Sequence, residues 1–207
     1  MKKIIIAIVA IIAAVNVSAQ DFRWGVAGGV NIAWEKIKVD GVRATSDAYI
    51  GFQAGVKAEY DLSKYITDGF FAEASLLYNL KGNSYSGTHT NLGYLELPIN
   101  FGFRYPISNN ISLMGSLGPY LALGIIGKNV VEEGDKKIKT DVFGDEYRRF
   151  DFGLNYKLGV EMWERWQFYL GLEHGLINNA KAETYKDLRV NAKYHTINLY
   201  IGTAYMF

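Results

Sequence analysis

From Phe22 onward the chain alternates between bulky apolar side chains and small or polar ones. Period two marks a strand with two unlike faces. In the first stretch Phe22, Trp24, Val26, Gly28, Val30, Ile32 and Trp34 share one face. Arg23, Gly25, Ala27, Gly29, Asn31, Ala33 and Glu35 share the other. The alternation returns over Ile50–Tyr60, Phe70–Lys81, Leu95–Tyr105, Ile111–Leu123, Phe150–Met162, Trp166–Glu173 and Thr196–Phe207, which makes eight predicted strands. A tilted strand crosses a bilayer in about 9–11 residues, a length these stretches can supply. One face is crowded with aliphatic and aromatic groups, the other with Gly, Ala, Ser, Asn and single charges. Small polar groups suit the inside of a narrow closed sheet, and large apolar ones suit a wall against hydrocarbon. The expected fold is therefore all-β: an eight-stranded antiparallel up-and-down transmembrane β-barrel, closed so that no backbone edge is left unpaired.

The connections follow the same logic. Short gaps at Asp61–Asp68, Pro106–Asn110 and Trp163–Arg165 alternate with longer polar ones at Glu35–Asp47, Gly82–Asn91, Gly127–Arg149 and Asn178–Lys193. Barrels of the bacterial outer membrane keep short turns on the periplasmic side and long loops outside. Tyr60, Tyr65, Tyr105, Trp163 and Trp166 then form the inner aromatic girdle, and Trp34, Tyr49 and Tyr78 the outer one. Pro98 and Pro119 fall inside predicted strands, where each removes a ladder donor. A hairpin about Pro106–Asn110 brings them close together, so a bulge or a skipped ladder bond is expected there.

Composition narrows the classes. The 207 residues are 49% hydrophobic, enough to offset the entropy of ordering, so disorder is not expected. There is no Cys, hence no disulfide framework and no thiolate metal site. Lys+Arg 22 against Asp+Glu 21 leaves no basic excess for nucleic acid. Lys2 and Lys3, the apolar run Ile4–Val15 and the small-residue site Val17-Ser18-Ala19 read as a cleavable signal peptide over 1–19, with a barrel domain over 20–207.

Several short motifs add a resemblance. Tyr94-Leu-Glu-Leu-Pro98, Gly118-Pro119-Tyr120, Arg149-Phe-Asp-Phe-Gly-Leu154, Gly171-Leu172 and Tyr205-Met206-Phe207 resemble the outer-membrane β-barrel family common in Bacteroidota, which includes the PorT-like proteins. The resemblance implies an eight-stranded outer-membrane barrel. It also implies that Phe207 serves as a terminal aromatic read by the barrel-insertion machinery. It does not fix an activity.

The inward parity collects charges. Arg23, Lys57, Arg104 and Lys157 share the lumen with Glu59, Glu73, Glu96, Asp151, Glu161 and Glu173. Buried charges need partners, so the expected arrangement is a lumen ion-pair network that fills the barrel. An eight-stranded barrel is just wide enough for side chains to fill. Paired glutamates could act as acid and base, but no cleft for a substrate is evident. If the last two strands pair about a loop centred near Thr184, His174 and His195 face each other on the lipid side; two imidazoles fall short of the three or four ligands zinc takes. No nucleophile–base pair stands out. The Gly25-x-x-Gly28-Gly29 run lacks the helix that a phosphate loop needs. Catalytic, cofactor and metal sites are therefore not assigned.

The dense charges of Val130–Arg149 read as a solvated hairpin extension. Their cations are also candidates for lipopolysaccharide phosphates. The expected partners are outer-membrane lipid and lipopolysaccharide, the insertion machinery and envelope proteins. The leading reading is a non-enzymatic barrel with a structural, envelope or interaction role. The alternatives are a PorT-like accessory of type IX secretion and a narrow porin-type channel. A lipocalin-like carrier would need the opposite arrangement of faces.

Overall fold

The computed structural model describes residues 21–39, 42–85, 88–133, 136–143, 147–180, 183–185, 188–190 and 192–207. The segment 1–19, expected to be a signal peptide, lies outside the described residues. The strands are β1 (Phe22–Val39), β2 (Val42–Thr45), β3 (Tyr49–Asp61), β4 (Phe70–Tyr85), β5 (Thr88–Ser108), β6 (Ile111–Glu133), β7 (Lys136–Asp141), β8 (Phe150–Met162), β9 (Trp166–Gly175), β10 (Glu183–Tyr185), β11 (Leu188–Val190) and β12 (Ala192–Met206). Neighbours pair antiparallel in the order β12-β9-β8-β6-β5-β4-β3-β1, and β12 pairs with β1 to close the ring. The barrel thus has the eight long strands expected, while β2 and β7 extend its rim and β10–β11 form a separate small hairpin.

The two faces fall where the alternation puts them. Phe101 (53% exposed), Leu158 (70%) and Ile201 (60%) point away from the axis, whereas Asn100, Lys157 and Tyr200 on the same strands are buried. One end carries the three short connections, at 62–69, 109–110 and 163–165. There Gly69 adopts φ 85, and Trp163 and Glu164 adopt φ 53 and 59. Positive φ at two successive residues is the geometry of a type I′ turn, whose twist matches that of the flanking strands. Arg165 N–H closes this turn on Met162 O at 3.2 Å. At the same end Lys64 pairs with Asp21 at 2.7 Å.

Aromatic groups ring the turn end more densely than expected. Tyr65, Tyr105, Trp163 and Trp166 are exposed there. Trp24 and Phe207 join them, with ring centroids 4.5 Å apart.

The other end departs from the sequence reading. Gly82–Asn91 was expected as a long loop, yet β4 and β5 stay paired through Tyr85↔Thr88. Strand alternation of apolar groups stops where the hydrocarbon ends, but backbone pairing continues into water, so hydropathy alone truncates these strands.

At the two prolines the partner pairs stop at Pro98↔Tyr120 and resume at Phe101↔Leu117 in the same register. On the β4 side they stop at Leu77↔Glu96 and resume at Ala74↔Ile99. The ladder is skipped at the prolines as expected. The register shifts, however, lie elsewhere, at Gly93/Tyr94 and Pro106/Ser108. The first leaves Ile125 as the extra residue, so Ile125 and Ile126 are both exposed.

The two histidines do not meet. His174 pairs with Ile197, and His195 pairs with Lys36 of β1. A slip of two residues keeps every side chain on its face, so alternation cannot exclude it. Packing does. Tyr200 stands opposite Gly171, and a Cβ on Gly171 would lie 2.1 Å from Tyr200 Cζ. Glu173 stands opposite Asn198, whose amide donates to it at 2.8 Å. Gly171→Val is accordingly expected to cost about 1–3 kcal/mol by overpacking, read as a lower urea midpoint for the folded, fast-migrating gel form.

Candidate functional site

The lumen is the most elaborate polar site in the molecule. It is built in tiers by the inward residues of all eight long strands. Nearest the turns, Arg23 pairs with Glu59 and, at 2.9 Å, with Glu161. Arg104 pairs with the same two carboxylates at 2.9 and 2.8 Å. Gln167 donates to both of them, at 2.8 Å each. Charged pairs with this many shared hydrogen bonds have their lone pairs largely satisfied, which is what makes burial tolerable.

The middle tier resolves a conflict set by the register. Glu59 and Glu73 are directly opposed on β3 and β4. Lys57 bridges them, 2.7 Å from Glu59 and 2.6 Å from Glu73. Lys157 also pairs with Glu73. Ser116 and Asn100 donate to the same carboxylate at 2.7 and 2.9 Å.

In the upper tier Lys81 lies 2.6 Å from Glu96 and 2.6 Å from Glu173. Asn31 donates to Asn79 at 3.2 Å and Asn198 at 2.9 Å, tying this tier across the ring. Lys81 also sits 4.8 Å from the centre of the Tyr120 ring, a cation–π contact between buried groups.

Nine of the ten charges named from the sequence therefore stand in ion pairs. Asp151 does not among the described residues; it accepts from Tyr120 Oη at 3.1 Å and from the Phe152 amide. Two charges were left out of that set. Lys81 shares the inward parity of Glu73 and Asn79, and the parity was sufficient to include it. Glu35 shares the parity of Arg23 and Asn31. It accepts from Tyr147 Oη and Asn83 Nδ2, both at 2.9 Å.

Tyr147 introduces a feature the sequence reading missed. Val130–Arg149 was expected to be solvated throughout. Its first part is a hairpin, but Val142, Phe143 and Tyr147 are buried in the hairpin-end mouth with Leu92, Tyr94, Tyr120 and Ala122. Phe143 stands edge-on to Tyr94, ring centroids 5.7 Å apart. It fits because Gly124 and Gly127 leave room; a Cβ on either would lie within 2.5 Å of its ring. Charged neighbours in sequence hide this apolar plug.

The space left over is small. Inside the lumen a void of about 20 Å³ lies among Lys57, Asn155, Lys157 and Tyr200, room for about one water. A shallow recess of about 390 Å³ opens at the turn end beside Glu161 and Ser112. Among the described residues no group of three or more His, Asp or Glu is placed to hold a metal ion.

Comparison with known proteins supplies the setting. OprG, an outer membrane protein from Pseudomonas aeruginosa, shares 16% identity and superposes with a TM-score of 0.51, over 90% of this chain and 96% of OprG. Ail of Yersinia pestis shares 17% identity over 90% of this chain and 99% of Ail, with a TM-score of 0.43. Neisserial surface protein A shares 13% identity over 88% and 97%, with a TM-score of 0.44. No curated protein matches the chain. The family described as outer membrane protein beta-barrel domain matches residues 5–207. The turns therefore face the periplasm and the extended hairpins face outward. The chain belongs to this outer-membrane β-barrel family and resides in the outer membrane.

Proposed function

We propose that the protein is a sealed barrel, with a structural or interaction role in the envelope exerted through its outer hairpins, and not a solute channel. The observation that carries this reading is the continuous filling of the lumen: three tiers of paired charges below and the plug of Phe143 and Tyr147 above. A conducting path would need water-filled width where side chains already touch. The β6–β7 and β4–β5 hairpins extend beyond the apolar wall, which is where a rigid scaffold presents contacts.

Planar-bilayer recording of the purified protein tests this. The expected result is no resolved single-channel current at moderate voltage. Stepwise conductance that persists after repurification would remove the reading in favour of a narrow porin. A role as a PorT-like secretion accessory predicts in addition that photo-crosslinkers at Ile138 or Thr140 on the exposed hairpin capture a defined envelope protein.

A further inference from the structure

On the outward face of β1 two lysines stand in a row of like charges. The register across β2, β1 and β12 sets Arg43, Lys38 and Lys193 side by side. One residue pair lower, Lys36 lies between Thr45 and His195. The four cations are exposed, and His195 is half-buried. Among the described residues none of the five side chains has an ion-pair or hydrogen-bond partner. Like charges directly opposed on neighbouring strands repel. The β6–β7 hairpin shows the contrasting solution: Lys128 opposes Asp141 and pairs with it at 2.7 Å, and Glu132 and Glu133 oppose Lys137 and Lys136. The β2–β1–β12 row is thus arranged for an anion that the described residues do not supply.

Its height identifies the source of that anion. Trp24 and Trp34 lie ten residues apart on the same outward face. At about 3.3 Å per residue and a tilt of about 40°, they span about 25 Å, the height of the apolar band. Lys36 and Lys38 follow Trp34 directly and so stand among the headgroups of the outer leaflet. Below them Ile32 and Leu199 offer exposed apolar surface for acyl chains.

We propose that Arg43, Lys38, Lys193 and Lys36 form a docking surface for the phosphate groups of an anionic outer-leaflet lipid, whose chains lie along the wall beneath. Arg43 can grip a phosphate through two parallel N–H donors, and the lysines act as point charges beside it. This inference requires only the membrane placement and is independent of whether the lumen conducts.

The test uses the full protein in phosphatidylcholine nanodiscs doped with diphosphoryl lipid A or with its dephosphorylated form. Retained lipid is counted by native mass spectrometry. The wild type is expected to retain the diphosphoryl form preferentially. The variant Lys36→Gln/Lys38→Gln/Arg43→Gln/Lys193→Gln is expected to retain at least about tenfold less. Lys64→Gln/Arg165→Gln, which removes cations at the periplasmic end, is expected to leave retention unchanged. Because the quadruple variant relieves repulsion, it is expected to unfold in neutral detergent no earlier than the wild type, which separates lost binding from lost folding. Equal retention by wild type and quadruple variant, or equal retention of both lipid forms, would overturn the proposal. So would preferential capture of a soluble sulfated heparin fragment, since that places the row against a partner outside the membrane.

Discussion

Exchanging Lys81 for Met is expected to destabilise the folded barrel by about 3–5 kcal/mol, the cost of stranding a buried charge. The reason lies in how the carboxylates are shared. Glu59 has Arg23, Lys57 and Arg104 about it, and Glu73 has Lys57 and Lys157. Glu96 and Glu173, among the described residues, have only Lys81 as an ion-pair partner. Met retains most of the packing volume, so the loss is chiefly electrostatic. Lys157→Met removes a cation whose partner keeps Lys57, and its effect is expected to be clearly smaller. Glu96→Gln in the Lys81→Met background should recover part of the loss, because it removes one of the two uncompensated charges. Urea titration in lipid vesicles, followed by the gel shift between folded and unfolded forms, reads all three. A Lys81→Met barrel as stable as the wild type would mean that the upper tier contributes no net interaction.

The second large effect is expected at the plug. Phe143→Ala empties a ring-sized site against Tyr94, Gly124 and Gly127, and is expected to cost about 3–5 kcal/mol. That loss is centred on the mouth, since Phe143 takes no part in the ion pairs of the tiers below. Protease added outside intact cells should therefore cut the β7–β8 connection faster, while the barrel itself stays folded. Tyr147→Phe is more selective. It keeps the ring but removes the hydroxyl that donates to Glu35, leaving the buried carboxylate with Asn83. About 1–3 kcal/mol is expected, with less exposure to protease than in Phe143→Ala. Neither variant is expected to conduct, because three filled tiers remain beneath the mouth.

The division of residues between lumen and wall was legible because a barrel repeats one rule, apolar out and polar in, along every strand. Arg104 between Phe103 and Tyr105, or Lys157 between Tyr156 and Leu158, could be placed without knowing any contact. What could not be read were features that leave this rule intact. The β9–β12 register differs by one residue pair from the one that joins His174 to His195, and both registers put the same residues outside. Only the fit of Tyr200 over Gly171 decides between them. Strand length above the membrane is also silent in hydropathy, since Lys36, Lys38 and Lys193 extend the ladder with exposed cations. Phe143 and Tyr147 were hidden for a different reason: each stands alone within a charged stretch, with no periodicity to mark the face it buries. Lys81 was readable by parity, since it closes the predicted strand Phe70–Lys81 on the inward face, and its absence from the set of lumen charges has no basis in the alternation.

A barrel seated in the outer membrane turns its outward side chains to lipid. The chain lacks cysteine, so single cysteines can report on this without background. Phe101→Cys, Leu158→Cys and Ile201→Cys replace exposed wall residues on three strands and leave the lumen untouched. Carrying nitroxide labels in lipid vesicles, all three are expected to collide freely with molecular oxygen and rarely with a water-soluble nickel chelate. The opposite ranking at these sites, with the chelate favoured over oxygen, would contradict the arrangement.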